Sequence, residues 1–448
     1  MVTIYRNWQP DGSISVRFFT ELSFSKNTPM LEQENSIQLK LNELGLELTR
    51  HLLHSLECDG QPLHPGSGQA PSTAKSKQVV KLIETPYGAL EMPRHVYQTS
   101  AGGACHVPLD KAACLIGNAT PKFAQMVSHK HTEANARTVC RDLLDNHQRP
   151  VSLEQVQHIA QRVGELAAAN PSQLDEAALP SAAAVATISI GVDGACVNMT
   201  QSEPSALDKR KGRSAQWRVA MVGTIGMYDK AGNRLATIYQ AQSPPENSDD
   251  GKGDFWAKME TEVERFKQRY PAARYVGISD GAPDLCLWLE QHTSVQVLDF
   301  YHAAGYLNEA GAAYYASKEK AAIWSQTARE QLRDEPQGAR IILEDMRDQS
   351  QSAGRLSIKA RAALDKAIGY FEPRIERMDY ARYKAEGLPI GSGVTEAGCK
   401  LIIKQRLCGA GMKWSHTPCQ HVLTLRCILH SDGRWHSLWN NISNPALV

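Results

Sequence analysis

The 448-residue chain lacks the features that mark several classes of protein. Its ten cysteines form no CxxC pair, which argues against a disulfide framework and a zinc ribbon and favours reduced thiols. Its longest nearly apolar run, SAAAVATISIGV, is too short to span a bilayer. The opening MVTIYRNWQP lacks the basic-then-apolar layout of a secretory signal. We therefore expect a cytoplasmic protein with no membrane partner.

Excess charge of one sign is also missing, because the formal net charge is only +1. This argues against a uniformly basic surface that binds nucleic acid, but it is compatible with two local basic patches. The first is DKRKGRSAQWR at 208–218, and the second follows Glu396. Their candidate nucleic-acid contacts are Lys209, Arg210, Lys211 and Arg213, then Lys400, Lys404, Arg406 and Lys413. Basic clusters are usually solvated surface, so neither patch alone indicates a partner.

The N-terminal part is predicted to be mostly helical. Apolar residues recur every three or four positions over 34–57, which predicts a helix. VVKLIETPYGALEMPRHVYQ predicts two strands about a Pro-Tyr-Gly turn. Two further helices are expected over 132–146 and 152–168, the second opened by a capping box of Ser152 and Gln155. This pair fits a DNA-binding helix-turn-helix and an ordinary helical hairpin equally well.

From residue 181 onward, strand and helix patterns follow in the order β-β-β-α-β-α-β. Three strands able to form a meander, then strands alternating with helices, predict a mixed sheet covered by helices. This is the element order of the ribonuclease H fold, so the fold class is mixed α/β. Residues 303–387 are predicted to form an all-helical insertion, interrupted near Pro336 and Pro373.

Three acids stand where strands end or a helix begins. Asp193 lies in GVDGA, Asp280 in ISDGAP, and Glu396 opens the helix after the insertion. An aspartate at a strand end usually caps a turn, and for Asp193 alone that interpretation is preferred. Clustered carboxylates are costly unless cations compensate them, and Mg²⁺ prefers oxygen ligands. Two such ions suit in-line phosphoryl transfer, so the three acids in this element order predict a metal-dependent catalytic site.

The stretch GLPIGSGVTEAGCKLIIKQR sets one acid before a basic helix. Glu396, Lys400 and Lys404 are spaced i, i+4, i+8, which predicts one helix face lined by a metal ligand and two phosphate-binding ammonium groups. The alternative is a surface pair of Glu396 with Lys400. Asp299 and His302, spaced i, i+3 in LDFYH, have a supporting role near the site or cap a helix start. HTPCQH (416–421) contains possible zinc ligands, but no second group of ligands stands at the spacing that a zinc site requires.

GLPIGSGVTEAGCK, KQRLCGAGMKWS and LDFYH resemble the bacterial insertion-sequence transposases of the ISKra type (ISKra-four), DDE enzymes related to the Mutator-like group. The likeness covers roughly 80–448 and is weaker before about 180. It implies a ribonuclease H-like core interrupted by a helical insertion. Asp193, Asp280 and Glu396 would be its catalytic and metal-binding triad. Thr395 and Gly398 stand where more helix-favouring residues are expected.

The resemblance also implies an activity and its partners. Two Mg²⁺ ions, replaceable by Mn²⁺, would support cleavage at transposon ends and transfer of the 3′-hydroxyl into target DNA. The partners would be double-stranded DNA, both terminal inverted repeats and target, and further copies of the chain in a homodimer or higher oligomer. Asp299 and His302 would match the Asp/Cys-x-x-His signature of Mutator-like relatives. A bacterial, nucleoid-associated protein is expected.

The predicted domain division has four parts. They are an N-terminal region with a helix and a hairpin (1–110), a helical segment that is the candidate DNA-binding domain (111–180), the catalytic core (181–302 with 388–448) and the helical insertion (303–387). Two other functions compete with the transposase. One is a non-catalytic DNA-binding protein derived from a transposase. The other is a sugar-kinase or actin-like ATPase, whose GVDG strand would touch phosphate but for which SDGAPDL is a poor second motif.

Overall fold

The computed structural model describes residues 3–8, 14–61, 72–74, 77–99, 102–169, 179–200, 215–244, 252–352 and 356–442. Contacts divide the chain into a first unit, residues 1–173 with 438–448, and a second unit, residues 174–437. The four-part division of the sequence stays a prediction. Within the described ranges, no helix combines the length and the apolar character needed to cross a membrane.

The first unit combines short antiparallel strands with helices. Its strands are β1 (Thr3–Trp8), β2 (Ile14–Phe19), β3 (Ser72–Ala74), β4 (Val79–Thr85), β5 (Gly88–Arg94), β6 (Tyr97–Thr99) and β7 (Gly102–His106). Its helices are α1 (Met30–Leu56), α2 (Pro108–Ala112), α3 (Pro121–Glu133), α4 (Ala136–His147) and α5 (Leu153–Ala169). β1 pairs with β2, β4 pairs with β5, and β6 lies between β3 and β7.

Several sequence predictions for this unit are confirmed. α1 covers the predicted apolar stripe, and β4 and β5 form the hairpin about Pro-Tyr-Gly. The capping box is formed: the Gln155 N–H donates to Ser152 Oγ at 3.1 Å, and the Ser152 N–H donates to Gln155 Oε1 at 2.9 Å. The predicted start of the preceding helix at 132 is wrong. The Asn135 side chain accepts from the Thr138 N–H and begins α4 there, while residues up to Glu133 belong to α3.

A buried ion pair anchors the turn between α4 and α5. Arg149 and Glu84 are almost fully buried, at 5% and 2% side-chain exposure, and form a salt bridge. The same guanidinium donates to the Thr85 carbonyl at 2.9 Å, and the Gln155 amide donates to the second Glu84 oxygen at 2.6 Å. Each charge therefore has several partners, as burial of an ion pair requires. This ties the α4–α5 junction to β4.

The second unit contains one mixed sheet and most of the helices. Its strands are β8 (Thr187–Thr200), β9 (Ala215–Tyr228), β10 (Arg234–Gln242), β11 (Arg274–Ser279) and β12 (Val295–Leu298). Its helices are α6 (Lys252–Arg269), α7 (Pro283–His292), α8 (Phe300–Tyr314), α9 (Lys318–Asp334), α10 (Gly338–Ser352), α11 (Ile358–Phe371), α12 (Tyr380–Ala385), α13 (Gly393–Gly398), α14 (Gln405–Leu407) and α15 (His416–His430). A 3-10 helix spans Glu372–Arg377, a π-helix spans Cys399–Lys404, and the unit boundary falls inside α16 (Arg434–Ile442).

The sheet has the strand order β10-β9-β8-β11-β12. β8, β9 and β10 form an antiparallel meander, whereas β11 is parallel to both β8 and β12. The predicted element order and the mixed α/β class are confirmed. Apolar residues of α6 and α7 cover one sheet face, and those of the π-helix and α15 cover the other.

The predicted insertion is helical, and two of the breaks between its helices fall near Pro336 and Pro373. α9 ends at Asp334 and α10 begins at Gly338, on either side of Pro336. Pro373 lies in the 3-10 helix. The first helix begins at Phe300, a little before the predicted residue 303, because Asp299 caps it.

Replacing Arg149 with methionine should leave the Glu84 carboxylate buried and unpaired. We expect the free energy of unfolding to fall by about 3–5 kcal/mol, measured by denaturant titration. Arg162→Met is the matched control, because Arg162 is 46% exposed and pairs with Glu165 at the surface of α5. That change should stay within about 0.5 kcal/mol. Equal effects of the two substitutions would contradict a dominant role for the buried pair.

Candidate active site

The three acids predicted from the sequence line one cavity of the second unit. Asp193 in β8, Asp280 directly after β11, and Glu396 in α13 all border a cavity of about 500 Å³. His302 and Ser392 line the same cavity. All three acids are exposed, so their carboxylates are accessible from the cavity. Three segments that are distant in the sequence therefore bring carboxylates to one place.

Strand pairing brings the segments that carry Asp193 and Asp280 next to each other. β8 and β11 run parallel, and their last pair is Gly191 with Ile278. Asp193 and Asp280 each follow that pair by two residues, and Asp280 comes directly after the end of β11. β11 ends at Ser279, whereas β8 continues to Thr200 against β9. Asp193 thus lies where β8 has lost its parallel neighbour, which opens the edge of the sheet to the cavity.

The helical insertion holds the loop that carries Asp280. Tyr370 of α11 donates its hydroxyl to the Asp280 carbonyl at 2.7 Å, and the Arg374 guanidinium donates to the Gly281 carbonyl at 3.0 Å. Gly281 has φ +90°, and a Cβ there would lie 2.3 Å from Arg374 Nε. A residue with a side chain would therefore be strained at this backbone angle and would overlap the Arg374 side chain. Sequence reasoning missed Tyr370 and Arg374, since nothing in their spacing links them to a strand end about 90 residues earlier.

Close packing on the sheet positions Glu396. A Cβ at Gly191 would lie 2.1 Å from Thr395 Oγ1, so α13 can sit this close to β8 only because that position is glycine. Thr395 and Thr224 share a hydroxyl–hydroxyl hydrogen bond of 2.8 Å. At Gly398, a Cβ would already meet Thr224 and Tyr239 at 3.2 Å. Thr395 and Gly398 are poor helix formers whose small size lets the helix pack on the sheet.

A buried aspartate organises one side of the cavity. Asp299 is fully buried and caps α8, accepting from the Tyr301 N–H at 2.8 Å. It also accepts from the Ser392 hydroxyl and lies 3.1 Å from His302 Nδ1. Ser392 Oγ lies 2.9 Å from Glu396 Oε1 as well. The Ser392 hydroxyl has one proton, so it donates to only one of the two carboxylates at a time. Asp299 therefore caps the helix, as one of the two predicted roles required, and its supporting role stays a prediction.

His302 is biased towards its charged form. Burial lowers its pKa, but the hydrogen bond to Asp299 and the negative charges of Asp299, Asp280 and Glu396 outweigh burial, so the pKa lies above its ordinary value. Ligand atoms of Asp299, His302 and Glu396 also lie within 4.8 Å of one another, which suits a metal ion. A protonated imidazole cannot ligate a metal. His302 therefore serves either as a cation or as a ligand, and a bound ion would compete with its proton.

Cys399 is a site residue that sequence reasoning did not identify. Its buried thiol donates to Asp193 Oδ2 at 3.3 Å. Burial and the negative charge of Asp193 raise the pKa of this thiol, so it remains a hydrogen-bond donor rather than a nucleophile. Its position three residues after Glu396, on the same side of a helix, was the available signal.

The basic residues after Glu396 fall into two groups. Lys400 and Lys404 are exposed, as is Lys413. The segment Cys399–Lys404 is a π-helix rather than the expected α-helix, so the predicted α-helical spacing does not describe it. Arg406 is only 2% exposed, and its guanidinium lies 5.1 Å from the centre of the Trp414 ring. The prediction that Arg406 contacts DNA is therefore wrong for this fold, because its side chain is part of the protein interior.

Trp414, which directly follows Lys413, forms an isolated bridge to β8. The Thr200 N–H donates to the Trp414 carbonyl at 2.8 Å, and the Trp414 N–H donates to the Asn198 carbonyl at 2.9 Å. Trp414 thus pairs with the far half of β8, beyond the end of β11. The other predicted DNA contacts, Lys209, Arg210, Lys211 and Arg213, lie outside the residues that the structure describes.

Comparison with models of known protein families finds no match for this chain, and comparison with curated proteins finds none either.

Replacing Gly191 with alanine should push α13 away from β8. We expect a loss of about 1–3 kcal/mol in the free energy of unfolding, because the added methyl group overlaps Thr395. Gly305→Ala in α8 is the control, since a Cβ there meets nothing within 4 Å, and it should stabilise the helix by up to about 1 kcal/mol. The double variant Gly191→Ala with Thr395→Ala should recover part of the loss. If the double variant recovers no stability, the contact between Gly191 and Thr395 does not set the distance between α13 and β8.

Proposed function

We propose that this protein is a DDE transposase with a ribonuclease H-like core, which cuts DNA at transposon ends and joins the 3′-hydroxyl to target DNA. The observation that carries the proposal is that Asp193, Asp280 and Glu396, from three distant segments, line one cavity at the strand ends of a mixed sheet. The strand order with its central parallel pair and the resemblance to ISKra-type transposases support the same function.

The charges of the cavity support a divalent cation as cofactor. Among the described residues that line it, four are carboxylates and one is an imidazole; the acids are Asp193, Asp280, Asp284 and Glu396. Carboxylates that share one cavity repel one another, and a bound cation would reduce that repulsion. Carboxylate oxygens are the ligands that Mg²⁺ and Mn²⁺ prefer. Two such ions held by the triad would activate the attacking hydroxyl or water and stabilise the leaving oxygen.

The protein's own groups would hold and orient the reacting parts. Asp193 and Asp280 are fixed by neighbouring parallel strands, and Glu396 by the packing of α13 on β8. The Ser392 hydroxyl between Glu396 and Asp299 would orient the Glu396 carboxylate. When protonated, His302 would donate to a phosphate oxygen at the cavity.

Double-stranded DNA is the proposed substrate, both as transposon terminal inverted repeats and as target. The exposed ammonium groups of Lys400, Lys404 and Lys413 would contact its phosphates. Joining two ends requires two active sites, which supports a homodimer or higher oligomer on DNA. A nucleoid-associated protein of the bacterial cytoplasm fits this activity.

The catalytic proposal predicts that substitutions of the three acids abolish DNA cleavage but not DNA binding. Purified protein with Mg²⁺ or Mn²⁺ should nick DNA carrying the inverted repeats that flank its gene. Asp193→Asn, Asp280→Asn and Glu396→Gln should each abolish nicking, because each removes a charged metal ligand while keeping the side chain's shape. Binding measured by fluorescence anisotropy should remain within a few-fold. Asp299→Asn should cost about 10–100-fold in rate, as expected for a residue that orients a ligand.

Glu260→Gln is the matched control, because Glu260 is an exposed carboxylate of α6 outside the cavity lining. It should cut at the rate of the unaltered protein. Binding without cutting in the unaltered protein would favour a non-catalytic DNA-binding protein. ATP hydrolysis stimulated by DNA would instead favour the actin-like alternative.

The exposed lysines should contribute to affinity through phosphate contacts. Each of Lys400→Gln, Lys404→Gln and Lys413→Gln should reduce the slope of log binding constant against log salt concentration by about 0.9. The loss should be similar for specific and unrelated DNA sequences. Arg406→Gln is the contrasting variant and should lower the unfolding temperature, since Arg406 is buried against Trp414. If the salt slope is unchanged in all three lysine variants, the DNA does not contact these lysines.

A further inference from the structure

A second cluster of metal-ligating side chains lies in the first unit. Glu57 and Cys58 directly follow the C-terminal end of α1, and His95 lies in the connection between β5 and β6. A carboxylate oxygen, the thiol sulfur and a ring nitrogen of these residues all lie within 4.8 Å of one another. Glu57 and His95 are 38 positions apart in the sequence, so only the fold brings them together.

The two oxygens of the Glu57 carboxylate have different surroundings. Its Oε1 accepts from the His95 N–H at 2.8 Å, lies 2.8 Å from His95 Nδ1 and is 3.7 Å from Cys58 Sγ. Within the part of the chain that the structure describes, its buried Oε2 has no hydrogen-bond partner, and the Glu57 side chain is only 8% exposed. A buried carboxylate oxygen left unsatisfied is costly. A cation placed among the three side chains would compensate the charge of this mostly buried carboxylate.

We propose that Glu57, Cys58 and His95 bind a divalent cation of the zinc class. Oxygen, sulfur and nitrogen donors together suit Zn²⁺ or Co²⁺ and do not suit Mg²⁺, which prefers oxygen alone. Zinc bond lengths place tetrahedral oxygen and sulfur ligands about 3.6 Å apart. The 3.7 Å between Glu57 Oε1 and Cys58 Sγ is close to that value.

Binding requires two proton movements. The Cys58 thiol loses its proton to solvent, because the thiolate is the metal ligand. The proton between Glu57 and His95 Nδ1 moves to the other ring nitrogen, and the 2.8 Å contact lengthens as both atoms become ligands. Metal uptake should therefore weaken as pH falls. Three protein ligands leave the fourth tetrahedral position for water or an outside ligand.

The surroundings hold the ligands in place. Tyr97 is fully buried, donates its hydroxyl to the Gln61 carbonyl at 2.9 Å and lies 3.4 Å from Cys58 Sγ. Gly60 has φ +77°, and a Cβ there would lie 2.6 Å from His95 Nε2. The loop after α1 therefore wraps closely around the imidazole. Such outer contacts orient metal ligands in proteins.

The test is Co²⁺ titration of the full-length protein after removal of metal with a chelator. We expect a thiolate-to-cobalt charge-transfer band and tetrahedral d–d bands that saturate at one ion per chain, are displaced by Zn²⁺ and persist in excess Mg²⁺. Cys58→Ser should eliminate the charge-transfer band. His95→Gln should weaken the affinity at least 10-fold, comparable to the loss of a ligand-orienting contact or larger.

Two cysteine variants are the controls. Cys105→Ser removes an exposed thiol from the same unit, and Cys399→Ser removes the thiol beside Asp193 in the cavity. Both should keep the charge-transfer band. Absence of the band in the unaltered protein would overturn the proposal without any variant, as would a band that survives Cys58→Ser. Since this readout is independent of DNA cleavage, its failure and that of the transposase proposal are distinguishable.

Discussion

The approach of α13 to β8 is the contact on which the candidate site depends. The helix rests on the strand where Gly191 has no side chain, and Thr395 occupies the space that a Cβ would need. This contact brings Glu396 to the cavity that Asp193 and Asp280 already share. Because side chains in a packed core have almost no room to shift, one missing methyl group sets the position of a carboxylate distant in the sequence.

Apolar packing holds together the sheet and the helices around the cavity. Buried residues cover both faces of the sheet, and a further cluster joins the helical insertion to β11 and β12. The insertion also acts on the site directly, since Tyr370 and Arg374 bind the backbone on either side of the Asp280–Gly281 bond. It therefore does more than separate β12 from α13: it fixes the conformation of the loop that presents an acid. Cys399 and Ser392 supply hydrogen bonds that relieve part of the remaining negative charge.

The carboxylates of the two units are stabilised in different ways. Glu84 is buried with a fixed cation, Arg149, and is therefore structural. The cavity acids of the second unit are exposed, and their oxygen donors would suit exchangeable hard cations. Glu57 is an intermediate case, with one oxygen satisfied and the other lacking a partner among the described residues. In the proposed site its nitrogen and sulfur neighbours would favour a softer ion. Donor type and burial together decide which partner each carboxylate takes.

Local patterns in the sequence were enough to predict α1, the β4–β5 hairpin, the capping box at Ser152 and the strand and helix order of the second unit. These features depend on periodicity and on contacts a few residues apart, which any single sequence displays. The three acids were also named from the sequence, although their meeting depended on an assumed strand order. Only the tertiary structure decided four other features. These are the burial of Arg406, the π-helix after Gly398, the hydrogen bond from Tyr370 to the Asp280 carbonyl and the contact between Glu57 and His95. Each depends on which surfaces of distant segments come into contact, and a linear sequence does not contain those distances.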